Sequence, residues 1–241
     1  MQELRVHKLP RQIAEQELSG STVVVVDLLR VSSTICQALA AGATEVVPFL
    51  EIGEATAAAA GDRPNVVLGG ERGGKRIDGF DLGNSPSEYT PASVGSRRVF
   101  LTTTNGTRAL DRARRARRVV VGSLLNLSAV VASIRDEPRV DVLCAGTDGV
   151  ESREDILAAG AIVEKLVSRD RSVWQLDKAA EAALDEWQAS GDDLAVELRT
   201  TPGGRNLLAI GMDQDLVDCA RIDALAVVPE LDMSAWRITA R

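Results

Sequence analysis

Aromatic residues make up only 3% of the 241-residue chain, and it holds one histidine, His7. So few rings leave little to stack nucleobases on, and the core must be built from Val, Leu, Ile and Ala. A mechanism that needs histidine as nucleophile, or as base to Ser or Cys, has only His7 to use. That residue sits in an apparent short strand, Leu4–Pro10, and reads as an edge-strand or surface side chain. Cys36, Cys144 and Cys219 are far apart, with neither metal-ligand nor disulfide spacing. Basic residues do not exceed acidic ones: 28 against 35 gives a net charge of −7, which argues against general nucleic-acid binding. The N-terminus shows no signal-type apolar segment, and no run approaches the ~18 apolar residues of a membrane span. The expectation is a soluble cytoplasmic protein with no membrane or nucleic-acid partner.

Hydrophobic residues amount to 45%, enough for a full core in one α/β domain. The stretch Ser21–Thr34 organises the rest. Its four consecutive valines, Val23–Val26, suit a strand buried on both faces of a parallel sheet. The strand ends at Asp27; Arg30, Ser32, Ser33 and Thr34 follow, and a helix is expected from Ile35 to Ala41, stopped at Gly42. One strand-to-helix turn thus gathers a carboxylate, a guanidinium and three hydroxyls, where open α/β sheets bind ligands and helix starts favour anions. Arg30, three residues on, is the alternative partner for the Asp27 carboxylate.

Strands and helices then alternate. Strands are expected at Glu45–Leu50, Val66–Leu68, Arg98–Thr102, Val119–Val121, Val140–Ala145 and Ala224–Val228. Helices are expected at Ile52–Ala60, Arg108–Arg118 (arginine-rich, reading as a solvated face), Leu127–Ile134 capped by Asn126, about 155–169, and Asp213–Ile222. From Asp170 to Gly211 two or three helices follow with no convincing strand, broken at Thr200–Gly204; this run, about 170–211, reads as a helical cap or lobe. The pattern predicts a single-domain, three-layer α/β/α sandwich with a mostly parallel or mixed sheet.

Between Gly69 and Pro86 lies an 18-residue stretch with six glycines and no regular period, long enough to suggest function. Its Gly69-x4-Gly74-Lys75 approaches a phosphate-binding loop, but Arg76 stands where Ser or Thr must reach magnesium, and no helix pattern follows. A cysteine phosphatase lacks its arginine, and an Asp-x-Asp phosphatase lacks its second acid, since position 29 is leucine. What remains is four turns of like chemistry: Asp27/Arg30/Ser32–Thr34; Glu71/Arg72 with Asn84 and Ser85; Thr102–Thr104 with Asn105 and Thr107; and Asp148/Glu151/Glu154/Asp155. Most follow expected strands directly and can converge at one sheet edge. Hydroxyls, helix-end amides and arginines fit a phosphate or sulfonate; carboxylates beside them fit a bridging magnesium ion. Each has a plainer reading: Ser152-x-x-Asp155 also fits a capping box, Ser32–Thr34 also fit a helix cap, and Thr102–Thr104 are good strand residues.

The runs Val26–Thr34, Gly69-Gly-Glu-Arg72, Gly83-Asn-Ser-Pro86, Thr103-Thr-Asn-Gly-Thr107 and Glu154-Asp155 together resemble the 2-phosphosulfolactate phosphatase family, in the same order and across nearly the whole chain. Where that family often has Phe-Ser-Leu-Glu-Asp, this chain has Glu151-Ser-Arg-Glu-Asp155. The resemblance implies a three-layer α/β/α fold and a magnesium-dependent phosphatase that releases phosphate from 2-phosphosulfolactate, a step of coenzyme M biosynthesis. On this reading Asp27, Glu71 and Asp155 lie near Mg²⁺, and Asp27, Arg30, Glu71 and Asp155 form the catalytic set. Substrate contacts are expected from Ser32, Ser33, Thr34, Arg72, Asn84, Ser85, Thr103, Thr104, Asn105, Gly106 and Thr107. The nucleophile is left open between a metal-activated water and a carboxylate. The competing reading is a non-catalytic sensor or binding protein for a small anion. A homodimer is expected, as for many compact α/β enzymes.

Overall fold

The computed structural model describes residues 1–241. In chain order the elements are β1 (Gln2–His7), β2 (Thr22–Val26), α1 (Val31–Ala40), β3 (Glu45–Phe49), α2 (Ile52–Ala59), β4 (Val66–Arg72), β5 (Lys75–Arg76), α3 (Pro91–Val94), β6 (Arg98–Thr102), α4 (Gly106–Arg112), β7 (Arg118–Gly122), α5 (Leu127–Ile134), β8 (Arg139–Cys144), α6 (Arg153–Val167), β9 (Trp174–Leu176), α7 (Lys178–Gln188), α8 (Leu194–Thr200), α9 (Pro202–Ala209), α10 (Asp213–Cys219), β10 (Pro229–Asp232) and β11 (Arg237–Ala240). They form an α/β sandwich around one mixed, mostly parallel sheet ordered β5-β4-β6-β3-β11-β10-β7-β2-β8-β1-β9. No helix is long and apolar enough to cross a membrane.

The valine run makes β2 the centre of a parallel half-sheet, hydrogen-bonded to β7 on one side and β8 on the other. Alternate residues face opposite layers. Val24 and Val26 pack with α5 and α6, while Val23 and Val25 pack with α1 and α4. Each such fully buried side chain contributes roughly 1.5–3 kcal/mol. A second parallel set, β4-β6-β3, repeats the pattern: Val67, Val99 and Leu101 face α1, and Val66, Leu68 and Phe100 face α2. The two sets are joined through the antiparallel hairpin β10–β11, which pairs with β7 on one side and β3 on the other. Helix α1 packs against β3, β7, β10 and β11 together, bridging the two parallel sets. The turns that follow β2, β4 and β6 meet around one cavity.

Several expectations are corrected. The last strand is not Ala224–Val228: those residues are irregular, though Val227 and Val228 are buried, and the chain ends in β10 and β11 instead. The arginine-rich helix stops at Arg112, passes through a tight 3-10 turn, and is already strand at Arg118. The run from Asp170 contains a strand, β9, on the sheet edge beside β1. β9 covers β1 only at Gln2–Leu4, so His7 pairs with β8 alone, and its ring meets Asp141 at 2.7 Å. Asn126 stands at the start of α5 without capping it; its side chain takes the amide of Ser123 and donates to Val121 and Val227. The break near 200 is narrower than Thr200–Gly204: Thr201 caps α9, and Pro202–Gly204 form its first turn. Helix α1 begins at Val31, so Ser32, Ser33 and Thr34 lie inside its first turn. Helices α6 and α10 end at Val167 and Cys219, short of the expected limits.

Candidate active site

Hydrogen bonds tie the four turns together. Asp27 follows β2, and its Oδ2 lies 2.8 Å from where a Cβ on Gly106 would stand, so only glycine at the start of α4 lets that carboxylate approach. Glu71 ends β4 and accepts two amides, Thr104 N–H to Oε1 at 2.8 Å and Gly74 N–H to Oε2 at 2.7 Å. Gly70, at φ +148°, lets β4 run against β6; a Cβ there would meet the Thr102 carbonyl oxygen at 2.0 Å. Asn105 Oδ1 accepts the Asp148 amide at 3.2 Å, and Thr34 Oγ1 donates to the Asn84 carbonyl at 2.8 Å.

They enclose a cavity of about 320 Å³, the low end of the range usual for small ligands. Asp27, Arg30, Glu71, Asn84, Thr104, Asn105 and Asp148 supply its polar walls, and one wall is α9, through Gly203, Asn206, Leu207 and Ala209, with Ile210 just past its end. Of the helical run at 170–211, α9 thus lines the cavity, while α7 packs on α6.

The other expected site residues stand behind this wall. Ser32 Oγ takes the Asp27 amide, and Ser33 Oγ donates to the Leu28 carbonyl. Thr107 Oγ1 donates to the Thr103 carbonyl, while Thr103 Oγ1 takes the Thr107 amide. Arg72 turns away, donating to the carbonyls of Glu71 and Leu50 and to Thr102 Oγ1. Asp155 does not complete a capping box: its Oδ1 accepts the Leu28 amide at 2.8 Å and its Oδ2 the Gly146 amide at 3.0 Å. Ser152 instead meets Thr147 hydroxyl to hydroxyl. Asp155 therefore clamps the end of β2 to the end of β8.

Arg30 is not the partner of Asp27. Its Nη1 donates to Asp215 Oδ2 at 2.6 Å and its Nη2 to the Gly74 carbonyl at 2.6 Å. Ser85 Oγ donates to the other oxygen of Asp215. Sequence reasoning missed Asp215: it lies 185 residues from Arg30 and reads as an ordinary first-turn acid of α10.

The electrostatics are dominated by carboxylates. Burial, then the charge of Glu71, and further that of Glu154, raise the Asp27 carboxyl to about 7, against the Val31 amide and Arg30, which lower it. Burial and the charges of Asp27 and Glu154 push Asp155 well above the usual range. Three buried oxygens around the site have no partner: Asn84 Oδ1, Thr104 Oγ1 and Glu154 Oε2. Such atoms are costly unless a ligand, cation or proton meets them. No three acidic side chains converge on one point as a ready-made cage. That does not disqualify magnesium, which commonly takes one or two carboxylates and completes its shell with substrate oxygens and water.

A family model described as 2-phosphosulpholactate phosphatase matches residues 7–234. The chain is 44% identical, over 217 residues, to a protein of Symbiobacterium thermophilum named probable 2-phosphosulfolactate phosphatase, with 89% of this chain and 92% of that protein covered. A protein of Caldanaerobacter subterraneus subsp. tengcongensis with the same name is 38% identical over 230 residues, 95% of each chain. A third, from Gloeobacter violaceus, is 42% identical over 211 residues, 86% of each.

Proposed function

The chain belongs to the 2-phosphosulpholactate phosphatase family of phosphoric monoester hydrolases, and from that membership we propose that it hydrolyses 2-phosphosulfolactate, or a closely similar small phosphate monoester, to sulfolactate and phosphate with Mg²⁺ bound. The observation that carries the cation is the charge of the cavity. Asp27, Glu71 and Asp148 line it against one guanidinium, Arg30, and Arg30 is already matched by Asp215. A substrate bearing phosphate, sulfonate and carboxylate would be repelled from such a site. A divalent cation held by the acidic residues would reverse that sign.

Asp27 and the unpartnered Asn84 Oδ1 are the oxygens that would hold the cation, with substrate and water filling the other positions. When bound, it neutralises phosphate charge and makes a coordinated water more acidic. The protein's own part is placement. Thr104 Oγ1 and Asn105 Nδ2 are free to donate to phosphate oxygens, since Asn105 Oδ1 is occupied by the Asp148 amide. Glu71 fixes the Thr104 amide and, through Gly74, the glycine hairpin opposite. Asp27, whose carboxyl is raised to about 7, would be the group to hold the cation once ionised. Leu207 of α9 and Ile210 just past it line the site with apolar surface and limit its water.

The test is phosphate release from 2-phosphosulfolactate with Mg²⁺ and with EDTA. Turnover that EDTA abolishes and Mg²⁺ restores is expected; full turnover in EDTA removes the cation, and no turnover on any small phosphate monoester removes the reading. The chain is further proposed to act as a homodimer, by analogy with other compact α/β enzymes; light scattering that gives only 25.7 kDa rejects this.

A further inference from the structure

The stretch Gly83–Tyr89 closes on itself behind the cavity wall. The Gly83 amide donates to Glu88 Oε2 at 2.9 Å. The Gly83 carbonyl accepts from the Tyr89 hydroxyl at 2.8 Å and from the Gly70 amide of β4 at 3.1 Å. Thr34 Oγ1 of α1 donates to the next carbonyl, that of Asn84, at 2.8 Å. The peptide planes on both sides of the Asn84 Cα are therefore held, and with them the direction of its Cα–Cβ bond. The side chain is 4% exposed and lines the cavity, and its Oδ1 has no partner. Hydrogen bonds thus anchor the backbone of Asn84 and leave its carboxamide for a bound molecule.

Tyr89 is the chain's one tyrosine and is fully buried. Its ring would bury as well without the hydroxyl, and the Gly83 carbonyl would keep the Gly70 amide. Yet β4 gives up a side chain to admit that oxygen: a Cβ on Gly69 would stand 2.1 Å from it. Burial, then the charge of Glu88, push the phenol above its ordinary range, so it remains a neutral donor at any working pH.

On the phosphatase reading above, we propose that Tyr89 and Thr34 are positioning residues for the reaction: their hydroxyls hold the two peptide planes that aim the Asn84 carboxamide into the cavity. Neither side chain lines the cavity, so both act through Asn84. Misplacing a group at the reacting centre by about 1 Å costs on the order of 100-fold in rate. Loss of one neutral hydrogen bond, by contrast, costs little stability when the acceptor keeps another donor.

The experiment is a double-mutant cycle on kcat/KM for 2-phosphosulfolactate with Mg²⁺. It uses the full-length wild type, Tyr89→Phe, Asn84→Ala and the double variant, with a thermal melt of each. Tyr89→Phe is expected to stay folded and to lose about tenfold or more in kcat/KM. In the Asn84→Ala background the same change should cost less than about twofold, because no carboxamide is left to aim. A merely structural tyrosine would lower both backgrounds by one factor, so equal losses overturn the proposal. A Tyr89→Phe loss smaller than about tenfold in the wild-type background also overturns it. In either case wild-type turnover stands, and the phosphatase reading with it. A wild type that releases phosphate from no small phosphate monoester overturns both. Should Tyr89→Phe fail to fold, Thr34→Val takes its place in the same cycle, and equal losses with and without the Asn84 side chain overturn the proposal there too.

Discussion

Asp215 Oδ2 lies 2.6 Å from Nη1 of Arg30, and both side chains are almost fully buried, 2% and 3% exposed. The pair joins the first turn of α10 to the start of α1, and Arg30 extends the link to the Gly74 carbonyl. Removing one member of a buried pair strands the other charge, which costs about 3–5 kcal/mol. Asp215→Ala should therefore lower stability by that order, measured by urea unfolding. The glycine hairpin should loosen with it, and kcat/KM should fall more than kcat. A variant as stable as wild type would show that Arg30 finds its counter-charge elsewhere.

How far the sequence revealed this molecule depends on where burial and hydrogen bonding did their work. β2 was plain because a strand buried on both faces must be apolar throughout. The hairpin β10–β11 was not. Its strands are four residues each and carry Glu230 and Arg237, which pair with Arg118 and Glu45 across the sheet, and Asp232, which accepts from the Ser234 and Ala235 amides of the hairpin turn. The neighbouring apolar run Ala224–Val228 buries valines without joining a ladder, and so mimicked a strand. The turns of the site were visible as clusters of polar residues, but not the division of labour within them. Ser32, Ser33, Thr107, Arg72 and Asp155 hold backbone, and only a three-dimensional count of hydrogen bonds separates them from Asp27, Thr104 and Asn105 at the cavity.

Asp141 offers a contrast to the site carboxylates. Burial alone would raise its pKa, but hydrogen bonds and charges from His7 and Arg139 outweigh this and hold it below the ordinary range. A depressed carboxylate stabilises the fold above its unfolded value, about 4, and that contribution fades as pH falls through the folded value. Asp141→Asn should thus cost about 3 kcal/mol at pH 7 and progressively less below pH ~4, with kcat within about twofold of wild type because the residue does not line the cavity. Urea melts at pH 7 and pH 3.5 check the sign; an equal loss at both would refute it.

Asp27 runs the other way. Its folded carboxyl is raised to about 7 while the unfolded one titrates near 4. The stabilising contribution of the neutral form is complete below pH ~4 and is lost as pH rises through about 7. In EDTA at pH 8, Asp27→Asn should melt level with or above wild type, since an ionised group leaves a crowded acidic site. At the same time kcat should fall on the order of 100-fold or more, about 2.7 kcal/mol of barrier. A variant that melts earlier and turns over within about tenfold of wild type would make Asp27 a structural residue.

The same titration governs the cation. Metal binds the ionised carboxylate and displaces its proton, so below the Asp27 value each pH unit should weaken apparent affinity about tenfold, and above it affinity should level off. Mn²⁺ titrations at pH 5.5, 6.5, 7.5 and 8.5 should give a curve that bends near 7. Calorimetry in two buffers of different ionisation enthalpy should show close to one proton released per cation at pH 6 and little at pH 8.5. Asp27→Asn should flatten the curve, because the titrating group is gone. A wild-type curve that bends near 4, the value of a solvent-exposed carboxylate, would mean that the cation sits at the mouth, on a group such as Asp148, and not against the end of β2.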